Sequence, residues 1–473
     1  MKRPLAALVT LAVAVRALAA ATGDVYVDEA WTWVVSRQPL LQVLAWNRRE
    51  DVPPLNYFIW HPLSVAFHSA FILRLPSVLA GAAVVAVVYR MGEQFLSKSQ
   101  ASWAALLVAV LYPFWLIDSE IRHYALLTLG CVRFLQLAME GRTKGWEAPI
   151  LAIAVGSLHH SALLPFGAIL LAALCYREWL TAAVSGLGVG VTGAWIVYTL
   201  TDPQASYRTR EAVSYTGLWL LPRMPADMLG LPALFGFHAI PDGLAWALVG
   251  VFLLLVGLGC RALQRRTAIY LGFYALLPLA GLALFAHVHL LYYQNRYYET
   301  FAPVLFLLLV AGSGARPWVW LPVVLANLGV CAAYPTSPWL WNQQWAPIAH
   351  FVEAREKPED TIVMYVPFNM VAFDYYYDEG RSTFFLAEGA VGVTPRPGHP
   401  AQAMIVPASL TPDFDRSLGT GHVFLVLNQG VAPERERILE WFNPRFGIVD
   451  QLETRTIGWD AVQVMELTRL PSK

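Results

Sequence analysis

Charge is scarce in this chain: only 14% of its 473 residues are Asp, Glu, Lys or Arg, and 33 basic side chains balance 33 acidic ones to a formal net charge of zero. With a pI near 7.2 there is no general basic face to hold a nucleic acid, and no long-range steering of charged partners. Cysteine is scarcer still. Cys131, Cys175, Cys260 and Cys331 fall inside or at the ends of apolar segments, with no CxxC and no Cys/His metal spacing, so neither a disulfide framework nor a cysteine-bound metal is expected. Walker loops, HExxH, low-complexity tracts and internal repeats are all lacking. Two apparent motifs dissolve in context. "GLGVGVTG", 186–193, sits inside an apolar segment with no preceding strand, which suits small-residue helix packing better than a nucleotide loop. "DFD", 413–415, has the form of a metal-bound nucleotide-sugar motif but reads as a turn entering a helix.

What the chain has in quantity is apolar surface: 57% hydrophobic and 13% aromatic residues, with a mean hydropathy of +0.49. That is a polytopic α-helical membrane protein. The start, "MKRPLAALVTLAVAVRALAAATGD", has the basic and apolar parts of a cleavable signal, yet Arg16 interrupts the apolar centre. We read 4–21 as a retained first helix with Arg16 snorkelling outward. Apolar segments of helical length follow at 72–90, 101–117, 123–139, 147–158, 161–176, 179–200, 244–260, 268–287, 298–314 and 317–334, about eleven transmembrane helices in all.

Orientation follows from the basic loops. Lys2, Arg3, Arg90, Lys98, Arg142, Lys144, Arg177, Arg261, Arg265, Arg266 and Arg316 share one side, expected to be cytoplasmic, which puts the N-terminus in the cytoplasm and the chain in the cytoplasmic (inner) membrane. The outer side then carries the loops 22–71 and 201–243 and the turns at 118–122, 159–160 and 287–296. "LNYFIWHPLSVAFHSAF", 55–71, would invert this bias if it crossed, so it is expected in the outer interface as an amphipathic or re-entrant helix. The membrane module is thus 1–334. After Tyr334 the composition changes, and strand-like "TIVMYV" and "HVFLVLN" alternate with helix-like "PIAHFVEAREK" and "ERERILEWF", predicting a small extracytoplasmic α/β domain over 335–473.

Ionisable residues gather on the outer side: Asp28 and Glu29, Glu50 and Asp51, "IDSEIRHYALL" with Asp118, Glu120, Arg122, His123 and Tyr124, then His159-His160, and "YYQNRYYE" with Arg296, Tyr297 and Glu299. An acid near the centre of a membrane helix costs roughly 2.5–3.5 kcal/mol, so such groups are usually paired or functional. Their convergence predicts a pocket on that face.

The order "DEAWTW", "EDVPPLNYFIWHP", "LRLPSVLAG", "SEIRHYALL", "LHHSALL", "NRYYETFAP" resembles the bacterial relatives of dolichyl-phosphate-mannose protein mannosyltransferases, and the lipid A aminoarabinose transferases are similar in organisation. The resemblance spans 1–334. It departs where the family has HPP, here "DVPP" with the histidine displaced to His61, and the C-terminal domain matches only in outline.

The resemblance implies a GT-C fold and a glycosyltransferase, mannosyltransferase-like, that moves a monosaccharide from a polyprenyl-phosphate carrier to a hydroxyl acceptor outside the membrane, in cell-envelope glycosylation, with inversion. The donor substrate is the lipid-linked sugar; the acceptor is a protein, lipid or glycan. No cofactor is implied, and a divalent metal is left open. By the family's Asp-Glu pair, Asp28 is the general base, with Glu29 beside it and Glu120 as a second site acid. Arg74, Arg122, Arg296 and Tyr297 are candidate ligands of the donor phosphate, since a guanidinium fork matches phosphate oxygens. Asp51, His61, Tyr124 and His160 are candidate substrate contacts. Each has a bland rival: acids favour helix N-termini, arginines snorkel, and histidines sit hydrogen-bonded at helix ends. A transporter or flippase of lipid-linked sugars, or a non-catalytic scaffold, would share the composition.

Overall fold

The computed structural model of the chain describes residues 2–50, 52–201, 222–235, 240–287, 296, 298–341, 343–365, 370–377, 392–396, 399–405, 409–428, 432–454 and 461–471. It divides into two compact units, Met1–Ala21 with Val35–Pro335, and Thr22–Val34 with Thr336–Lys473.

The first unit is helical. Helices α1 (Lys2–Thr22), α2 (Val27–Ser36, whose first turns belong to the second unit), α3 (Leu40–Glu50) and α4 (Leu55–Ala66) precede α5 (Ala70–Gly92) and α6 (Lys98–Val110). There follow α7 (Tyr112–Ile117), α8 (Tyr124–Met139), α9 (Glu147–Gly156), α10 (Leu163–Cys175) and α11 (Trp179–Leu200). Two short helices, α12 (Met224–Met228) and α13 (Leu231–Phe235), lead to α14 (Asp242–Ala262), α15 (Arg265–His287), α16 (Ala302–Gly312) and α17 (Leu321–Ala333). Among the described residues, five helical stretches are long and apolar enough to cross a membrane: Arg3–Thr22, Ala70–Gly92, Trp179–Thr199, Asp242–Ala262 and Pro317–Thr336. On α14 the large apolar side chains Trp246, Leu253 and Leu254 are exposed, a surface that requires an apolar solvent. By contrast α16 is apolar all round and buried along its length, as a central helix must be.

Glycine sets the closest approaches. A Cβ on Gly259 of α14 would lie 2.2 Å from the Leu308 carbonyl, and one on Gly312 of α16 would lie 2.0 Å from that of Leu255. These helices therefore pack backbone to backbone, without the spacing that side chains impose. Gly188, within "GLGVGVTG", has Phe166 against the place its Cβ would take, at 2.8 Å, and lies inside α11. That motif is a helix contact.

The apolar run 101–117 is two helices. Leu111 is extended (φ −65°, ψ 130°), and the last four carbonyls of α6 all find donors. Leu107 O accepts from Leu111 N at 3.0 Å, Val108 O and Ala109 O from the Arg16 guanidinium at 3.1 and 3.0 Å, and Val110 O from Trp115 Nε1 at 3.0 Å. Arg16 therefore does not snorkel, contrary to the sequence expectation: it is fully buried, its Nε donates to Asp118 Oδ2 at 2.7 Å, and it caps a broken helix. Its partner stands 102 positions away, which is why inspection of the first helix alone misreads it. Asn327 fixes the other side of the break, accepting from Tyr112 N at 2.8 Å and donating to Leu229 O at 2.9 Å. The 55–71 stretch yields α4, 12 residues with Pro62 inside, too short to span a bilayer; the chain then extends at Phe67 before α5.

The second unit is a six-stranded sheet flanked by helices. Its strands are β1 (Thr361–Tyr365), β2 (Gly392–Arg396), β3 (His399–Ile405), β4 (Val423–Asn428), β5 (Phe446–Glu453) and β6 (Val462–Arg469), in the order β2-β3-β1-β4-β6-β5. β1 runs parallel to β3 and β4 at the centre, and every residue of β1 is buried, as a strand covered on both faces requires. Helix α18 (Ala346–Glu353) precedes β1, and α19 (Met370–Tyr376), α20 (Pro412–Ser417) and α21 (Ala432–Phe442) lie between strands. "DFD" opens α20: Thr411 caps it through Phe414 N, and Asp415 pairs with Arg469 at 2.8 Å. This unit also claims Thr22–Val34, which sequence reading had placed with the membrane module. Asp24 accepts from Ala346 N at 3.0 Å, Gln343 from Val27 N at 3.1 Å, and Trp33 meets Tyr375 edge-on.

Candidate active site

Helix α5 organises the candidate residues of the first unit along one face. Arg74, Ser77 and Gly81 stand at spacings of three and four, one above another. Arg74 is buried and donates to Ala20 O at the end of α1, at 2.9 Å. Ser77 donates to the carbonyl of Arg122 at 2.9 Å, pinning the turn between α7 and α8. Gly81 leaves room for an ion pair: a Cβ there would lie 2.3 Å from Asp118 Oδ2 and 2.6 Å from Arg16 Nε.

Beside that face Arg122 and Arg296, from turns far apart in sequence, each place a guanidinium carbon 5.6 Å from the centre of the Tyr124 ring. This is cation–π distance. His123 stacks on His159 at 4.6 Å between ring centres, and His159 meets His160 at 3.9 Å. The Nδ1 of His159 engages Ser161 Oγ at 2.8 Å, so His159 caps the short helical turn that follows. Burial first, then His160, His123, Arg122 and Arg296, hold His159 well below the ordinary histidine value, which keeps it neutral among the cations.

Adjoining these cations is a set of buried acids. Asp118 receives two guanidinium nitrogens of Arg16 on its Oδ2, at 2.7 and 2.6 Å. Glu299 is buried in the turn before α16. Tyr274 holds the same turn by donating to Thr300 O at 2.8 Å. The first unit thus gathers Arg122, Arg296 and three histidines, with the Arg16–Asp118 ion pair and the buried Glu120 and Glu299 in the adjoining turns.

Of the sequence-predicted residues, Arg122, Tyr124, His160 and Arg296 come together, Glu120 lies among the neighbouring acids, and Arg74 stands one helical turn from Ser77, which holds the Arg122 carbonyl. His61 is half-buried and engages Ser36 O at 2.6 Å through Nδ1. Asp51 and Tyr297 lie outside the described residues. Asp28 and Glu29 belong to the second unit. There Glu29 is buried at the third position of α2 and accepts from Tyr26 N at 3.3 Å, half of a capping box, while the Asp28 carbonyl accepts from Thr32 Oγ1 at 3.0 Å. Arg16, Ser77 and Gly81 escaped sequence reading; only the isolated charge of Arg16 offered a signal. Among the described residues no cluster of His, Cys, Asp and Glu has the arrangement of a metal site.

Residues 51–201 match the sequence model of the dolichyl-phosphate-mannose-protein mannosyltransferase family. That stretch holds Arg74, Glu120, Arg122, Tyr124 and His160. In three dimensions the chain is similar to the crystal structure of ArnT from Cupriavidus metallidurans in the apo state, at 13% identity, with 97% of each chain covered and a TM-score of 0.57. The fold is GT-C-like. A crystal structure of ArnT from Cupriavidus metallidurans bound to undecaprenyl phosphate superposes with a TM-score of 0.41, again at 13% identity over 97% of each chain. No curated protein matches the sequence. The GT-C-like assignment joins a polytopic helical membrane part to the small C-terminal sheet domain.

Proposed function

We propose that this chain is an integral membrane glycosyltransferase that moves a monosaccharide from a polyprenyl-phosphate carrier to a hydroxyl acceptor on the outer face of the membrane. The observation that carries the reading is the pair Arg122 and Arg296 against the Tyr124 ring, beside a stack of three histidines. Two planar guanidinium groups against one ring suit a phosphate oxyanion, whose negative charge grows as the sugar departs. The matched family is named for a dolichyl-phosphate-linked sugar, which supports a lipid phosphate as the leaving group. Arg74 and Tyr297 complete the proposed phosphate ligands.

In this reaction the acceptor oxygen attacks the anomeric carbon, the bond from that carbon to the phosphate oxygen breaks, and the configuration inverts. A carboxylate takes the acceptor proton. Asp28 is proposed for that role on the family resemblance, with Glu29 shaping the helix that carries it and Glu120 as the second acid. Asp51, His61, Tyr124 and His160 are proposed substrate contacts. The C-terminal domain is assigned to the extracytoplasmic side, with the N-terminus in the cytoplasm.

The experiment uses purified chain in lipid nanodiscs with a defined polyprenyl-phosphate monosaccharide. Release of polyprenyl phosphate is expected, with Asp28→Asn lowering kcat by about a hundredfold or more while donor affinity holds. Full turnover in Asp28→Asn removes the base assignment. Movement of intact lipid across vesicles without cleavage overturns the transferase reading in favour of a flippase.

A further inference from the structure

Two polar groups from outside the turn between α7 and α8 grip it, one at each end, and neither has a part in the chemistry proposed above. At the first end Asp118 Oδ2 receives Arg16 Nε of α1 at 2.7 Å and a second guanidinium nitrogen at 2.6 Å. At the other end the carbonyl of Arg122 accepts from Ser77 Oγ of α5 at 2.9 Å. Within the turn Ser119 Oγ donates back to Leu116 O at 2.7 Å. Arg16, Ser77 and Asp118 are all buried, so water does not compete for these bonds. The two grips also share a frame. Arg74, three residues before Ser77, ties α5 to α1 by donating to Ala20 O at 2.9 Å, and Gly81, four residues after Ser77, admits the ion pair where a Cβ would lie 2.3 Å from Asp118 Oδ2.

We propose that Ser77 and the Arg16–Asp118 ion pair are positioning groups for Arg122, holding its turn by both ends so that the guanidinium stays against the Tyr124 ring that Arg296 also approaches. The inference rests on the reading of Arg122 as a ligand of the donor phosphate. The bond from Ser77 fixes the peptide plane beside the Arg122 Cα, and with it the direction in which the side chain leaves. The guanidinium lies at the far end of that side chain, so a small rotation at the Cα becomes a large displacement there. A misplacement of about 1 Å can cost about a hundredfold in rate. Ser77, Arg16 and Asp118 act through Arg122 and touch no reacting atom. Arg296 belongs to a different turn, which makes it an internal control.

The test measures binding of farnesyl phosphate to the full-length chain in nanodiscs, with backbone hydrogen exchange followed by mass spectrometry beside it. Ser77→Ala removes one grip, and Asp118→Asn keeps an oxygen for Arg16 but loses the charge; each is expected to weaken binding about fivefold, comparable to one neutral hydrogen bond. Each loss is expected to vanish in an Arg122→Gln background, where no guanidinium is left to place, and to persist in an Arg296→Gln background. Wild-type affinity in Ser77→Ala, or a loss that persists unchanged in Arg122→Gln, overturns the proposal, the second outcome marking a general loosening of α5. Should Asp118→Asn not fold, the Ser77→Ala cycle decides alone. A wild-type chain that binds no farnesyl phosphate refutes the phosphate-site reading instead. The hold on the turn is then judged by exchange: Ser77→Ala is expected to speed the amides of 119–123 about fivefold or more while those of α16 keep their wild-type rates, and unchanged exchange in the turn overturns it.

Discussion

Removing the charge of Asp118 tests most directly how the first unit holds together. Arg16 is fully buried, cannot shed its proton, and makes two contacts with Asp118 Oδ2 as well as donating to Val108 O and Ala109 O. Asp118→Leu strands that cation in a medium of low dielectric, and breaking one side of such a pair typically costs about 3–5 kcal/mol. Arg16→Met removes the cation but deprives two buried carbonyls of donors, at about 1–3 kcal/mol each, while Asp118 can neutralise itself by protonation. The double variant Arg16→Met/Asp118→Leu loses the carbonyl contacts yet strands no charge. It is therefore expected to be more stable than the sum of the single variants implies, by about 3 kcal/mol. Unfolding in mixed micelles, followed by tryptophan fluorescence, measures all four corners of this cycle. Additivity to within about 0.5 kcal/mol would show that the ion pair is incidental, and the account of α6's end would fail with it.

Other outcomes follow from the same geometry. Arg122→Lys and Arg296→Lys keep the charge but lose the planar fork, so each is expected to weaken farnesyl phosphate binding about tenfold in titrations, against little change for Arg316→Lys on a remote loop. His159 is held neutral in the folded chain while a free histidine titrates near pH 6.5; the unfolded state therefore binds the extra proton, and stability is expected to fall as pH drops through and below that value. Thermal midpoints between pH 8 and pH 5 should show the decline in wild type and a shallower one in His159→Gln. Asn327→Leu abolishes the bonds to Tyr112 N and Leu229 O and should cost about 2–4 kcal/mol in the same micelle assay, with no loss if those groups rehydrate. Asp415→Asn weakens the pairing with Arg469 in the C-terminal sheet domain and is expected to leave any metal dependence of turnover unchanged, whereas a change would revive "DFD" as a metal site.

The helices of the membrane part were legible because a bilayer demands about 20 apolar residues per crossing, and the described helices follow those runs within a few positions. The division at Leu111 was not, since a leucine in an apolar run carries no sign of an extended backbone; what ends α6 there is a set of donors from Arg16 and Trp115, remote in the first case. Charge and aromatic character marked Arg122, Tyr124, Arg296 and His160, all of which converge. Ser77 and Gly81 were invisible because their contribution is smallness and one hydroxyl. Two of the six strands were visible as apolar runs, β1 and β4, which lie side by side in the sheet centre. The outer strands β2 and β5 carry a mixed pattern that no periodicity singles out.

The stripe Arg74–Ser77–Gly81 makes α5 a ruler. Three graduations on one helical face grip the end of the first helix, the carbonyl of a cationic turn and a salt bridge. Inserting a single residue between positions 77 and 81 would advance everything beyond it by about 100° around the axis. The upper marks and the lower mark would then address different neighbours, so the length of this stretch is as fixed as the identity of its three residues.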